Sequence, residues 1–222
     1  MSTPPTPHPA LRPLLRRLPW GLLAAGWLAA FAVGLAFALG LEALGWWERG
    51  AGWERQTLVL AHRTVSPYLD PIFLYLPLLG TNYSLVPIIA IAALWLWRRG
   101  RPTVAIHLAV VQLGSALLNP ALKLSVPRPR PDLFELRGQY ALPAFPSGHS
   151  IATASVLFTV AYLIHRTGHG TWAYWAWGAY FLLNTYSRLY LSVHWPTDLL
   201  AGTLVGLIWL GTTLRAFRGF HP

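Results

Sequence analysis

An uncharged run from Trp20 to Leu41 constrains this chain more than any other feature of its sequence. A helix needs about 20 predominantly apolar residues to cross a bilayer. A secretory signal has a shorter apolar region of roughly 7–15 residues, so this run reads as a first membrane span. Five more stretches behave alike, at about 77–97, 102–122, 148–165, 171–187 and 196–214. Composition agrees: of 222 residues, 55% are hydrophobic and 11% charged, against about 25% charged in soluble domains. The expectation is an all-α, polytopic membrane protein with six transmembrane helices.

The segments between the runs have their own character. Residues 1–19, rich in Pro and Arg, read as a disordered cytoplasmic tail, 20–215 as the six-span domain, and 216–222 as a second cytoplasmic tail. Segment 42–70 sets Trp46, Trp47 and Trp53 beside Glu48, Arg49, Glu54 and Arg55. That is the pattern of an interfacial segment, with rings at headgroup depth and charges in water, and it is expected to line a lipid entrance. Pro71, Pro77 and Pro87 predict kinks or an irregular start to the second span. Residues 123–147 hold charges and five prolines and read as a loop.

Charge orients the spans. Six crossings put both termini on one side, together with Arg12, Arg16, Arg17, Arg98, Arg99, Arg101, Arg166, Arg215 and Arg218. Several of the basic residues on the other side belong to the motifs below, and the remaining bias places the termini in the cytoplasm. A formal charge of +10 would suit a nucleic-acid binder. Here the basic residues flank apolar runs, so the expected partner is the membrane and no nucleic acid. Cysteine is absent, which excludes disulfides and thiolate metal sites.

Three polar stretches fall on the extracytoplasmic side. The first is Lys123, six residues, then Arg130-Pro131. The second is Pro146-Ser147-Gly148-His149, which opens the fourth span. The third is Ser187-Arg188, five residues, His194, three residues, then Asp198, which joins the fifth span to the sixth. No crossing separates the first stretch from the second and two separate the second from the third, so the topology brings all three to one membrane face. His194 and Asp198 are four apart, on one face of a helical turn. A carboxylate there would fix the imidazole tautomer and leave the other nitrogen available for attack.

Together these stretches resemble the type 2 phosphatidic acid phosphatase superfamily, whose signature is K-x6-RP, PSGH and SR-x5-H-x3-D. All eleven fixed positions are present, in order. The resemblance implies hydrolysis of a lipid phosphate or diphosphate without metal or cofactor, through a phosphohistidine. Undecaprenyl diphosphate, phosphatidylglycerol phosphate and phosphatidic acid are the implied substrates. His194 is the implied nucleophile, steered by Asp198. His149 is expected to protonate the leaving oxygen and then to activate water. Ser147 and Gly148 open a helix, where free N–H groups and the dipole favour phosphate.

Lys123, Arg130 and Arg188 are expected to neutralise the phosphoryl oxygens, since phosphoryl transfer asks for positioning and charge stabilisation. Of 17 basic residues one is a lysine, Lys123, and it falls where the signature has lysine. A compact ammonium and a forked guanidinium are not interchangeable. Arg128-Pro129 imitates Arg130-Pro131 out of register, which makes Arg128 a candidate second contact to phosphate or headgroup. Asp198 is the one carboxylate expected in the site. His107, Gln112 and Asn119 are expected to bond across helices.

Two other functions share this signature. One is phosphotransfer, in which the phosphoryl group or headgroup passes to a lipid or sugar acceptor instead of water. The other is lipid binding or transport without catalysis, where loss of motif residues would be expected.

Overall fold

The computed structural model describes residues 11–135, 141–168 and 170–220. Most of the expected first tail, residues 1–10, lies outside them, as do His169 and the last two residues of the second. All regular structure among the described residues is helical. In chain order the helices are α1 (Leu11–Arg17), α2 (Trp20–Ala43), α3 (Gly52–His62), α4 (Asp70–Tyr75), α5 (Asn82–Arg98), α6 (Pro102–Ser125), α7 (Gly148–Ala152), α8 (Phe158–Arg166), α9 (Trp172–Tyr190) and α10 (Pro196–Phe217). Part of the expected tail is thus a short helix, tied down by the Trp20 indole donating to the Leu15 carbonyl at 2.8 Å.

Four helical stretches are long and apolar enough to cross a membrane: α2, α6, Gly148–Arg166 and α10. A fifth is added if Asp70–Gly80 and α5, bent by 48° at their break, count as one span. The protein is therefore a multi-pass membrane protein, with four or five spans by length and composition rather than the expected six. The difference lies in α9, which is 19 residues long but dilutes its apolar residues with Trp, Tyr, Asn184 and Arg188.

The proline-rich start of the second span is irregular, as expected. A 3₁₀ turn at Leu76–Gly80 joins α4 to α5, and Thr81 caps α5 by accepting from the Ser84 N–H at 3.3 Å. A π-helical turn, Thr153–Leu157, links α7 to α8. The main core lies where α2, α6, α7, α8 and α10 meet, around Val111, Leu118, Leu122, Ile151, Val205 and Trp209. Two hydrogen bonds between the fourth-span segment and its neighbours add to it, the Trp177 indole donating to the Thr153 carbonyl at 2.8 Å and Asn184 to the Thr153 hydroxyl at 3.2 Å.

One approach positions the site. A Cβ on Gly202 of α10 would lie 2.5 Å from the Ser147 carbonyl oxygen. Small residues let helix backbones come this close in a membrane. The start of α10, which carries Asp198, is thereby held against the start of α7. The contact is sealed by the Ser147 N–H donating to the Asp198 carbonyl at 3.0 Å.

Candidate active site

The site is assembled from helix ends that share one end of the bundle. Lys123 lies in the last turn of α6, so the loop expected over 123–147 begins only after Ser125. Residues 136–140 of that loop lie outside the described residues. Ser147 is the N-cap of α7, its hydroxyl accepting from the Ser150 N–H at 3.4 Å. Arg188 closes α9. His194 sits in the short connection to α10, just after Ser192, which takes a left-handed φ of 53°. That conformation is uncommon away from glycine. It reverses the chain within a few residues and turns His194 inward, where it is buried.

Lys123, Arg130, Gly148, His149 and His194 line a single cavity of about 520 Å³, whose other wall is Gly80–Tyr83, Ser115 and Asn119. Lys123 donates to the Pro143 carbonyl and, at 3.0 Å, to that of Ala144. Arg130 donates to the Val193 carbonyl at 2.6 Å and to that of Leu142 at 2.9 Å. These carbonyls fix both cations from behind. A Cβ on Gly148 would lie 2.6 Å from the Asn119 amide nitrogen, so any larger residue there would have to displace the Asn119 side chain. Arg188 is buried, its Nε donating to the Ser187 hydroxyl at 3.1 Å.

His194 is held below its ordinary pKa first by burial, then by the charges of Lys123, Arg130 and Arg188, while the Ala144 carbonyl works the other way. Burial disfavours a charged imidazole and neighbouring cations add to the effect, so the ring is neutral at pH 7. Its Nδ1 faces Asp198 Oδ2 at 3.4 Å. The same carboxylate oxygen accepts from the Trp195 N–H at 2.9 Å. Asp198 thus works as the third residue of α10, reaching back to cap the helix.

Sequence reasoning missed a second carboxylate. Glu54 is fully buried, and it too caps from the third position, accepting from the Ala51 N–H at 2.8 Å. It also accepts from the Thr197 N–H at 3.0 Å and hydroxyl at 2.6 Å. Glutamate at the third helical position is a legible sign, but Ala51 replaces the Ser or Thr that would complete it. Arg128 stands between the two acids. All five of its N–H donors are used: Nε to the Trp47 carbonyl at 3.0 Å, Nη1 to Thr197 Oγ1 at 2.7 Å and Asp198 Oδ1 at 2.8 Å, Nη2 to the Trp46 carbonyl at 2.8 Å and Glu54 Oε2 at 3.4 Å.

One expectation is corrected by this. Arg128 has no donor left for phosphate and is fully buried, so it is not a second phosphate contact. Segment 42–70, through Trp46, Trp47 and Glu54, packs behind the first turn of α10. Of the third-span polar residues, Gln112 does bond across helices, to Asn82 at 3.2 Å, while His107 stacks on Phe217 with centroids 4.3 Å apart.

Comparison with known proteins matches residues 103–221 to the model of the PAP2 superfamily. The chain belongs to that superfamily. Phosphatidylglycerophosphatase B of Bacillus subtilis is 31% identical over 148 residues, 64% of this chain and 72% of that protein. An undecaprenyl-diphosphatase of Sulfolobus acidocaldarius is 26% identical over 168 residues, 72% of this chain and 76% of that protein. The crystal structure of the transmembrane PAP2 phosphatidylglycerolphosphate phosphatase from Bacillus subtilis superposes with a TM-score of 0.70 at 27% identity, covering 87% of this chain and 94% of that one. This PAP2 protein is thus a phosphate-hydrolysing membrane enzyme.

Proposed function

We propose that this PAP2 enzyme hydrolyses a lipid phosphate or diphosphate at the extracytoplasmic face of the cytoplasmic membrane, with α9 as a sixth span and both termini in the cytoplasm. The observation that carries the reading is a buried, neutral His194 facing the same cavity as Lys123, Arg130 and His149. With its Nδ1 proton directed at Asp198, Nε2 holds the lone pair.

In the first step Nε2 attacks phosphorus while the bond to the leaving oxygen breaks, and His149 delivers a proton to that oxygen. In the second step His149 takes a proton from water, the water oxygen attacks phosphorus, and the P–N bond breaks to release inorganic phosphate. Lys123, Arg130, Arg188 and the N–H groups at the start of α7 stabilise the charge on the phosphoryl oxygens throughout. The lipid tail lies between helices in the bilayer.

Phosphatidylglycerol phosphate, undecaprenyl diphosphate and phosphatidic acid are the substrates to test. The experiment is phosphate release by detergent-purified protein over these lipids, wild type beside His194→Ala. The reading expects release from at least one lipid and background rates in the variant. Wild-type rates in His194→Ala would remove this histidine from the mechanism. Adding lipid or sugar acceptors distinguishes hydrolysis from phosphotransfer, since transfer would yield a phosphorylated acceptor at the expense of free phosphate.

A further inference from the structure

We propose that Glu54 and Arg128 are positioning residues that set the orientation and charge of His194 through Asp198, forming a chain Glu54–Arg128–Asp198–His194. The inference rests on the reading of His194 as nucleophile and extends it to two residues outside the three-part signature.

The geometry is a division of one carboxylate. Arg128 occupies Asp198 Oδ1 at 2.8 Å, and Oδ2 is left to the His194 ring and the Trp195 N–H. Without Arg128 the carboxylate could rotate and offer either oxygen in either direction. Arg128 is itself fixed from three sides. Its guanidinium lies between Trp47 and Trp195, 5.7 and 5.4 Å from their ring centroids. The carbonyls of Trp46 and Trp47 hold its edge. Glu54 completes the set and also grips Thr197, one residue before Asp198, by both backbone and hydroxyl. Two segments far apart in sequence, 46–54 and the loop at Arg128, are thereby stapled to the first turn of α10.

Electrostatics gives the chain a purpose beyond packing. Three fully buried ions are costly to desolvate, and a buried ion network is weak evidence for stability. Its charges, two acidic and one basic, sum to −1. Lys123 of α6, Arg130 of the loop and His149 of α7 line the cavity that His194 faces, and the buried Arg188 of α9 adds a third cation that acts on the ring. The chain is the only acidic presence described on the opposite side of the ring. It opposes the cations and keeps the imidazole basic enough to attack.

The test measures kcat and KM against pH for wild type, Glu54→Gln, Arg128→Lys and His194→Ala, all on one lipid phosphate in detergent. Glu54→Gln keeps the shape and removes one negative charge. Its KM should stay near wild type and its kcat should fall about 10- to 100-fold, the usual effect of altering an outer-layer partner. The acid limb of kcat/KM should move to lower pH by on the order of one unit, because the lost charge disfavours the imidazolium further. Arg128→Lys keeps the charge and loses the fork, so kcat should fall with the acid limb in place. A purely packing role would move neither limb.

A folded Glu54→Gln with wild-type kcat and an unmoved acid limb would overturn the proposal. Should that variant not fold, Arg128→Lys carries the test: it should show a lowered kcat with the acid limb unmoved, and wild-type kcat in it would equally overturn the proposal. Activity persisting in His194→Ala would instead sink the nucleophile assignment, which keeps the two failures distinct.

Discussion

Arg128 and Arg130 stand two residues apart in one loop, yet they belong to different worlds. Arg128 is fully buried, and every donor it has is spent on Glu54, Thr197, Asp198 and two tryptophan carbonyls. Arg130 lines the cavity and is anchored by the carbonyls of Val193, Leu142 and Pro143. The comparison teaches that a guanidinium beside the cavity is assigned by what its donors hold and by whether it lines the cavity. Residue type alone does not decide it.

The sharpest test of the contrast substitutes each arginine by methionine. Arg128→Met leaves two buried carboxylates without their cation, and breaking a buried pair costs about 3–5 kcal/mol. The thermal midpoint in detergent should drop sharply. Arg130→Met should keep its midpoint and lose about 10²–10³ in kcat/KM, as when one transition-state donor is removed. A stable Arg128→Met beside an unstable Arg130→Met would break the comparison.

Gly202→Val probes what presses the dry side against the wet one. A Cβ at 2.5 Å from the Ser147 carbonyl oxygen forces α10 away from α7, and overpacking costs about 1–3 kcal/mol. Phosphate release should fall more than stability does, because Asp198 and the start of α7 separate together.

A pH profile sharpens the electrostatic half. His194 lies below its ordinary value through burial and three cations. Attack needs the neutral ring, and a lowered value means that it stays neutral into more acidic solution. The acid limb assigned to this group should therefore fall below about 6.5, the ordinary imidazole value. Lys123→Met or Arg188→Met should raise it, since each removes a charge that disfavours the imidazolium. The smallest effect is expected for Gln112→Ala, which loses one interhelical bond to Asn82 worth about 0.6 kcal/mol in a membrane, with kcat near wild type.

Much of the cavity side was legible from spacing. Lys123, Arg130, Gly148, His149 and His194 sit at or beside helix ends that hydrophobic runs locate well, and the even number of crossings between them already places those ends on one face. The backing was not legible. Glu54 is 143 residues from Thr197 in sequence, and nothing periodic links a short amphipathic helix to the start of the last span. The charged and tryptophan-rich segment 42–70 resembles an interface-dwelling stretch because composition does not reveal that Glu54 turns inward while its neighbours face out. Span number is least legible at α9, where Trp, Tyr, Asn184 and Arg188 dilute the apolar residues.

The most direct test of the account is to trap the phosphoenzyme. Wild type would be mixed with a lipid substrate carrying a radiolabelled terminal phosphate, quenched in alkali during the first turnover, digested and mapped. The account predicts an acid-labile, alkali-stable label on the peptide containing His194, absent from His194→Ala. Turnover with no label on that peptide, or a label on another residue, would contradict it.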